Sequence, residues 1–467
     1  MSPSELELRF ENLRSGARAE PTPSFKQRID RLQRLRALLI EKEASFIGAL
    51  SSDYGYRAAG QTQFADFTTT IKAVNHNLQN LKYWMAPKKR SVDLSLRLSL
   101  AKAAVHHVPK GVVGIISPWN FPINLSFSPL ASVLAAGNRA LIKPSEATPA
   151  TAELMERAVS EYFDGSEVAV ITGEADVASA MVDLPLDHLI YTGSERVAQL
   201  ITAASAKNLT PLTLELGGKS PVIADRDANI PYLAKKLVFG KHFNAGQICI
   251  APDYCLVQKD QLDALLAELP QALDQTANER SGDDSVRIVN ERHQKHIQWL
   301  LDDAADHSAF IKTIQPSNNP DYQLHIVIDP DPGAAILKQE IFGPVLLIRT
   351  TNSFQHQQAI IREGGHPLVI YYFGNRRDRF QQCIDQAPSG AAVWNDIIFQ
   401  YANDDLPFGG VGSSGYGRYR GQAGFEEFSN PKSVYRAGLV DTSDLVSPPF
   451  GKAFQLTNRI MRKLWLN

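Results

Sequence analysis

Between Ser24 and Met85 apolar residues recur at intervals of three and four, first Leu32, Leu35, Leu38 and Leu39, later Ile71, Val74, Leu78 and Leu81. That period puts them on one stripe of a helix, so the chain is expected to open as a layer of amphipathic helices. From Val108 the pattern changes. Val112-Val-Gly-Ile-Ile116 and Arg139-Ala-Leu-Ile-Lys143 are short strand-like runs, with a helical stretch from Leu125 to Ala136 between them. Strand, helix, strand at this spacing predicts a parallel crossover. The alternation continues through helix Thr151–Phe163, strand Val168–Ile171, helix Asp176–Met181, strand His188–Tyr191, helix Arg196–Ala206 and strand Pro211–Glu215. These strands and helices in alternation predict a doubly wound α/β domain.

After Gly217-Gly218 a second alternation starts with strand Pro221–Ile223, helix Ile230–Phe239, strand Asp253–Val257 and helix Leu262–Leu273. It resumes with Ala334–Leu337, Val345–Arg349, helix Gln357–Arg362, Leu368–Phe373 and Ala391–Trp394, which predicts a second α/β domain. Pro407–Gly417 reads as a loop from its glycines. Two strand-like pieces, Leu94–Val108 and Ser433–Arg436, belong to neither domain and are expected to pair as an exposed ribbon whose edge needs a partner. Near the C-terminus, Leu456, Ile460 and Leu464, with Met461 and Trp465, form an apolar stripe beside Arg459, Arg462 and Lys463. Such a helix suits a subunit surface or a membrane surface, and is too short to span a bilayer.

Composition narrows the function without naming it. With 467 residues, 44% hydrophobic and 21% charged, the chain is globular and long enough for several domains, which excludes disorder and coiled coil. A net charge of −2 without a basic run gives no case for nucleic acid. Acidic residues follow the first methionine where a signal peptide is basic and then apolar, so a soluble, cytoplasmic protein is expected. The three cysteines, Cys249, Cys255 and Cys383, are too few and too scattered for a disulfide framework or a metal cluster. Cys255 and Cys383 fall in predicted elements and read as structural.

Cys249 follows Asn244-Ala-Gly-Gln-Ile, where small residues let backbone approach a ligand beside a possible nucleophile. On its own a lone cysteine is more often a buried apolar residue. Glu215, at a strand end before Gly217-Gly218, has the chemistry of a general base, though such a glutamate is usually only solvated. Gly193 and Ser194 join a strand to a helix, where a phosphate can sit on the helix N-terminus, and Lys143-Pro-Ser-Glu146 places a carboxylate where ribose hydroxyls can bind. Both are also ordinary turns. Asn120, in Pro118-Trp-Asn-Phe-Pro122, has a side-chain N–H suited to an oxyanion or simply to a turn, and Glu340-Ile-Phe-Gly-Pro344 is equally ambiguous.

Together these segments resemble the aldehyde dehydrogenase superfamily, in order and spacing, from about Phe25 to Arg436. They read PWNFP from Pro118, KPSE from Lys143, YTGS from Tyr191, LELGGKSP from Leu214, GQICIAPDY from Gly246, EIFGP from Glu340 and LPFGG from Leu406. The Ala-Pro-Asp-Tyr after the cysteine resembles the class 3 branch, and Ser-Pro-Pro-Phe-Gly-Lys452 is similar to its coniferyl aldehyde group.

The resemblance implies a Cys249 nucleophile, a Glu215 general base and an Asn120 oxyanion donor. It implies cofactor contacts from Trp119, Lys143, Glu146, Gly193, Ser194, Glu340 and Phe342, and a substrate pocket built around Tyr54, Trp119, Ile248 and Phe408. The cofactor implied is NAD, with NADP disfavoured by Glu146; no metal is required. The domains implied are a NAD-binding domain (1–92 and 110–215), a catalytic domain (216–426), an oligomerisation ribbon (93–109 and 427–440) that makes a homodimer, and an amphipathic tail (441–467). The implied substrate is an apolar aldehyde, aromatic or phenylpropenal, with fatty aldehydes as the alternative.

Two positions depart from the family pattern: Ala198 where the cofactor turn usually has glycine, and Ile248 where the branch often has threonine. The first bears on cofactor packing and the second on substrate preference. A CoA-acylating relative would lack the carboxylate at Glu215. A cysteine hydrolase pairing Cys249 with a histidine such as His242 would need no nicotinamide, and a non-catalytic protein on the same scaffold would need none of these groups.

Overall fold

The computed structural model describes residues 3–93, 100–278, 285–316, 323–439, 441, 443 and 447–465. Its helical opening layer consists of Pro3–Ala19, Phe25–Asp53 and Thr69–Trp84, so it begins earlier than the pattern from Ser24 indicates. Ser24 starts the second of these with a capping box: its hydroxyl accepts from the Gln27 N–H while the Gln27 side chain accepts from the Ser24 N–H. The apolar stripe Leu32, Leu35, Leu38, Leu39, Phe46 and Leu50 is buried. Ahead of Thr69 the backbone widens into one π-helical turn, Gln63–Thr68, which carries Asp66 and Phe67 inward.

Sixteen strands follow among the described residues. In chain order they begin with β1 (Lys88–Arg90) and β2 (Lys102–Pro109), followed by β3 (Val112–Ile116), β4 (Arg139–Lys143), β5 (Val168–Val170), β6 (His188–Gly193) and β7 (Leu212–Leu216). The second alternation supplies β8 (Pro221–Ala224), β9 (Tyr254–Gln258), β10 (Phe310–Ile314), β11 (Leu324–Ile328), β12 (Val345–Thr351), β13 (Val369–Phe373) and β14 (Ala391–Trp394). The last are β15 (Gly415–Tyr416) and β16 (Ser429–Arg436).

One sheet has the order β15-β7-β6-β3-β4-β5, parallel throughout except for β15. The chain winds outward from β3 through β4 to β5, then returns to lay β6 and β7 on the other side of β3. A crevice therefore opens at the carboxyl ends of β3 and β6, the place where open α/β sheets bind ligands. The second sheet, β10-β11-β12-β9-β8-β13-β14, is parallel apart from β10. Strands β3, β4, β8, β9 and β13 are buried along their whole length, which is why their interiors run apolar without alternation. These are the α/β sheets expected from the sequence.

A third sheet, β1-β2-β16, is the expected ribbon, with β2 and β16 antiparallel from Ser429 opposite Pro109 to Arg436 opposite Lys102. Residues 94–99 of the expected first piece lie outside the described residues. The run Ala334–Leu337 forms no strand; Ala335–Leu337 is a single 3-10 turn. The position beside β12 belongs to β11, whose antiparallel partner β10 is half-exposed and mixed in polarity, so its sequence carries no strand pattern. The tail forms the helix Lys452–Trp465 with Leu456 and Ile460 exposed, while the side chains of Leu464 and Trp465 lie outside the described residues. Among the described residues no helix is long and apolar enough to cross a membrane.

Candidate active site

The loop ahead of Cys249 adopts a costly backbone. Asn244, Ala245 and Gly246 have φ values of 51°, 53° and 71°, three successive residues in the left-handed region that side chains disfavour. Hydrogen bonds hold it there. The Asn244 N–H donates to Gln61 Oε1 at 2.8 Å, Gln247 Nε2 donates to the Asn244 and Arg287 carbonyls, and Val289 N–H donates to Gln247 Oε1 at 3.0 Å. The result presents a half-buried Cys249 thiol with the N–H groups of Cys249 and Ile250 directed at its sulfur.

From the other sheet, the loop after β3 brings Asn120 to the same place. Its side-chain Nδ2 donates to the Gln247 carbonyl at 3.0 Å, joining the two loops, and the second proton on that nitrogen has no partner among the described bonds. Glu215 sits in β7, only 1% exposed, and neither of its oxygens meets a hydrogen-bond partner. Beside it, the Glu340 carboxylate lies against Gly217, where an added Cβ would stand 2.0 Å from Oε2.

Burial dominates the ionisation of this group. It raises the Glu215 carboxyl to about 8, with the Glu340 charge adding to the shift. Burial and the neighbouring Asp253 likewise raise Glu340 to about 8. The Cys249 thiol is pushed well up by burial and then by the charges of Glu215 and Glu340. Lys241, fully buried with Nζ 3.5 Å from the Gly343 carbonyl, is lowered to about 8 by burial. A thiol, an unpartnered carboxylate that acts on its ionisation and a spare amide proton on the loop bonded to Gln247 are the parts needed for acyl chemistry on sulfur.

A cavity reaches Cys249 from one side. Its wall includes Phe64, Phe121, Phe239, Phe243, Phe399 and Phe408, with Ile248 and Ile250 beside the cysteine and Asn124 and Tyr401 as its main polar edge. At the carboxyl ends of the first sheet, β4 ends in a buried Lys143 whose Nζ donates to Glu146 Oε2 at 2.7 Å, and β6 ends at Gly193. Ser194 precedes the helix Glu195–Ser205 and makes no side-chain cap, leaving that helix's leading N–H groups for another acceptor. Trp119 packs edge-on against Phe342 at 5.4 Å and against His293 at 4.7 Å.

The aldehyde dehydrogenase family model matches residues 11–434. The chain belongs to the aldehyde dehydrogenase family. It is 38% identical to the coniferyl aldehyde dehydrogenase of a Pseudomonas species, over 92% of this chain and 90% of that one. It is 34% identical to the 4,4′-diaponeurosporen-aldehyde dehydrogenase of Staphylococcus aureus, over 96% and 97%. Among solved structures, the substrate-bound state of Staphylococcus aureus AldH superposes with a TM-score of 0.91 at 33% identity, covering 97% of this chain and 99% of that one.

Aldehyde dehydrogenases use NAD or NADP, and the residues at the sheet edge fit such a group. Lys143 with Glu146 suits ribose hydroxyls, the uncapped helix at Ser194 suits a pyrophosphate, and Trp119 with Phe342 suits a flat ring. Among the described residues no group of three or more His, Cys, Asp or Glu is placed to hold a metal ion.

The residues singled out in the sequence fall into two places. Ile248 and Phe408 line the cavity with Cys249, and Glu215 and Asn120 stand near the cysteine and its loop, while Lys143, Gly193 and Ser194 lie at or just after the carboxyl ends of β4 and β6 with Glu146 bonded to Lys143, Trp119 meets Phe342, and Glu340 lies beside Glu215. Tyr54 and Trp119 do not line the aromatic cavity. Tyr54 is buried behind the loop after β3, its hydroxyl donating to the Trp119 carbonyl at 3.1 Å, and Trp119 turns toward Phe342. The aromatic wall from Phe239, Phe243 and Phe399 was not singled out in the sequence, since isolated phenylalanines read as core. The same holds for Arg57 and Asp66, a buried ion pair with both side chains 0% exposed, because charged residues read as surface.

Proposed function

We propose that this aldehyde dehydrogenase is an NAD-preferring enzyme that oxidises an apolar conjugated aldehyde, of the phenylpropenal type such as coniferaldehyde, to the free acid. The observation that carries the reading is Cys249 on the wall of an aromatic cavity, with the unpartnered Glu215 carboxylate near enough to act on the thiol's ionisation and the Asn120 amide bonded to the loop that bears the cysteine. A flat aromatic aldehyde matches six phenylalanine rings better than a polar one does. The similarity to a coniferyl aldehyde dehydrogenase points the same way.

In this reading the Cys249 thiol loses its proton to solvent and the sulfur, as thiolate, attacks the aldehyde carbon. The new C–S bond leaves charge on oxygen, stabilised by the second Asn120 amide proton and the Cys249 N–H. A nicotinamide ring held at the Trp119 and Phe342 side would accept the hydride that leaves this carbon, so that the sulfur-bound carbon becomes a thioester. Glu215 then removes a proton from water, and the hydroxide adds to the thioester carbon. Collapse breaks the C–S bond, returns the Cys249 thiolate and frees the carboxylic acid. A base positioned for water favours hydrolysis over transfer to CoA.

Glu146 supports the cofactor preference. Partial burial pushes its carboxyl up, but the bond to Lys143 and the charges of Lys143 and Arg292 outweigh that and hold it below the usual range, so it is anionic at neutral pH. An anion there repels a 2′-phosphate. The uncovered edge of β16, with Val434 and Tyr435 exposed, supports assembly as a homodimer through the ribbon. The almost wholly apolar cavity also favours, as a second reading, a long-chain aldehyde.

Purified protein assayed with coniferaldehyde, benzaldehyde and a long-chain aldehyde, each with NAD and with NADP, tests the proposal. Turnover is expected to be fastest with coniferaldehyde and NAD, giving ferulic acid with or without CoA. A long-chain preference would select the second reading, and turnover only with CoA would overturn the hydrolytic step.

A further inference from the structure

We infer that Arg57, locked to Asp66, is a positioning residue that fixes the Asn120 backbone and thereby aims its amide at the reacting oxygen. This rests on the reading of Asn120 as the oxyanion donor. Arg57 Nη2 donates to Asp66 Oδ2 at 2.7 Å, and Nη1 donates to the Asn120 carbonyl at 2.8 Å. The other Asp66 oxygen, Oδ1, accepts the Ile123 and Asn124 N–H groups at 3.2 Å. That carboxylate therefore stands in for a side-chain cap on the helix Pro122–Ala136, whose own N-cap, Phe121, has none to offer. One ion pair thus grips the turn on both sides of Phe121, from the Asn120 carbonyl to the first helical N–H groups.

Stability alone is a poor explanation for this pair. The Asn120 carbonyl has two lone pairs but meets three donors: Arg57, the Asn244 amide at 3.1 Å and the Tyr54 hydroxyl at 3.3 Å. A buried charge pair pays a desolvation penalty that apolar residues of similar size avoid. What the pair adds is direction. The guanidinium, wedged between Tyr54 at 5.0 Å and Phe121 at 5.3 Å, approaches the carbonyl in a plane set by Asp66, so the Asn120 peptide cannot rotate without breaking a charge-assisted bond. With its peptide fixed and one amide proton bound to Gln247, Asn120 can turn only its remaining proton toward the thiol.

A double-mutant cycle tests this. Arg57→Met with Asp66→Asn leaves no unpaired charge, and Asn keeps an acceptor for Ile123 and Asn124. In otherwise wild-type protein this pair is expected to lower kcat about tenfold or more, with KM for the aldehyde and Kd for NAD within about threefold. In an Asn120→Ala background the same pair is expected to change kcat less than about twofold, because the group it aims is gone. Should the pair not fold, Arg57→Lys, one head group for two partners, carries the same expectation. An unchanged kcat, or losses that multiply with Asn120→Ala, would overturn the inference. Full activity in Asn120→Ala alone would instead overturn the reading of Asn120, a separately visible result.

Discussion

Gly246 lies so close to Gly343 that a Cβ on the first would stand 2.4 Å from the carbonyl oxygen of the second. The contact seats the loop bearing Cys249 against the turn bearing Glu340 and Phe342, two segments nearly a hundred residues apart in the chain. Gly246 also has φ 71°, so both its conformation and its surroundings exclude a side chain. Gly246→Ala is therefore expected to cost about 1–3 kcal/mol in stability and to lower kcat more than about tenfold. Thermal unfolding and steady-state kinetics on the same preparation check it; a fully active variant would show that the thiol does not depend on this seat.

The pH dependence follows from Glu215. Burial pushes its carboxyl up to about 8, so the ionised form that can act as a base becomes the minority below that value. Rate-limiting hydrolysis should rise with pH through about 8 and level off above it, and Glu215→Gln should lower kcat about 100-fold or more and abolish the rise.

The same shift has a stability consequence. An ordinary carboxyl titrates near 4.5, so between there and about 8 the folded protein keeps a proton that the unfolded chain has released. Stability from this group is therefore lost as pH rises across that window. Glu215→Gln should raise stability at pH 9 by an amount on the order of 3 kcal/mol and leave it nearly unchanged at pH 4. Equal stability of the two proteins at both pH values would contradict the burial of an unpaired carboxylate.

At the cofactor edge, Glu146→Gln removes an anion while leaving an acceptor for Lys143. The ratio of kcat/KM with NADP to that with NAD should rise about tenfold. An unchanged ratio would mean that discrimination resides elsewhere.

Phe399 is 44% exposed and stacks on Phe239 with the rings 5.8 Å apart at the cavity wall. Its exposure makes Phe399→Ala a test of recognition more than of folding. KM for coniferaldehyde should rise about three- to tenfold with kcat little changed, whereas acetaldehyde kinetics should hardly move.

The fold was legible where burial on both faces writes a continuous apolar run, as in β3, β4 and β13, and where an amphipathic stripe is long, as in Phe25–Asp53. It was not legible in β10, which alternates little and is half-exposed, or in the polar helix Glu291–Asp306, which buries little beyond Ile297, Leu300, Leu301 and Ala304. The motifs around Cys249, Glu215 and Asn120 were visible because they are local. Arg57 and Asp66 were not, since the pairing that makes them informative depends on one π-helical turn and on a loop more than fifty residues away. The cavity wall had the same problem: Phe239, Phe243 and Phe399 come together only once the second sheet is formed.

The central claim is a division of labour in which Cys249 forms the acyl bond and Glu215 releases it. Rapid mixing of enzyme with coniferaldehyde and NAD tests it most directly. Glu215→Gln should give a burst of about one reduced nicotinamide per active site followed by very slow turnover, and Cys249→Ala should give neither burst nor turnover while still binding NAD. Sustained turnover by Cys249→Ala, or a Glu215→Gln enzyme that hydrolyses its acyl intermediate at the wild-type rate, would contradict the account.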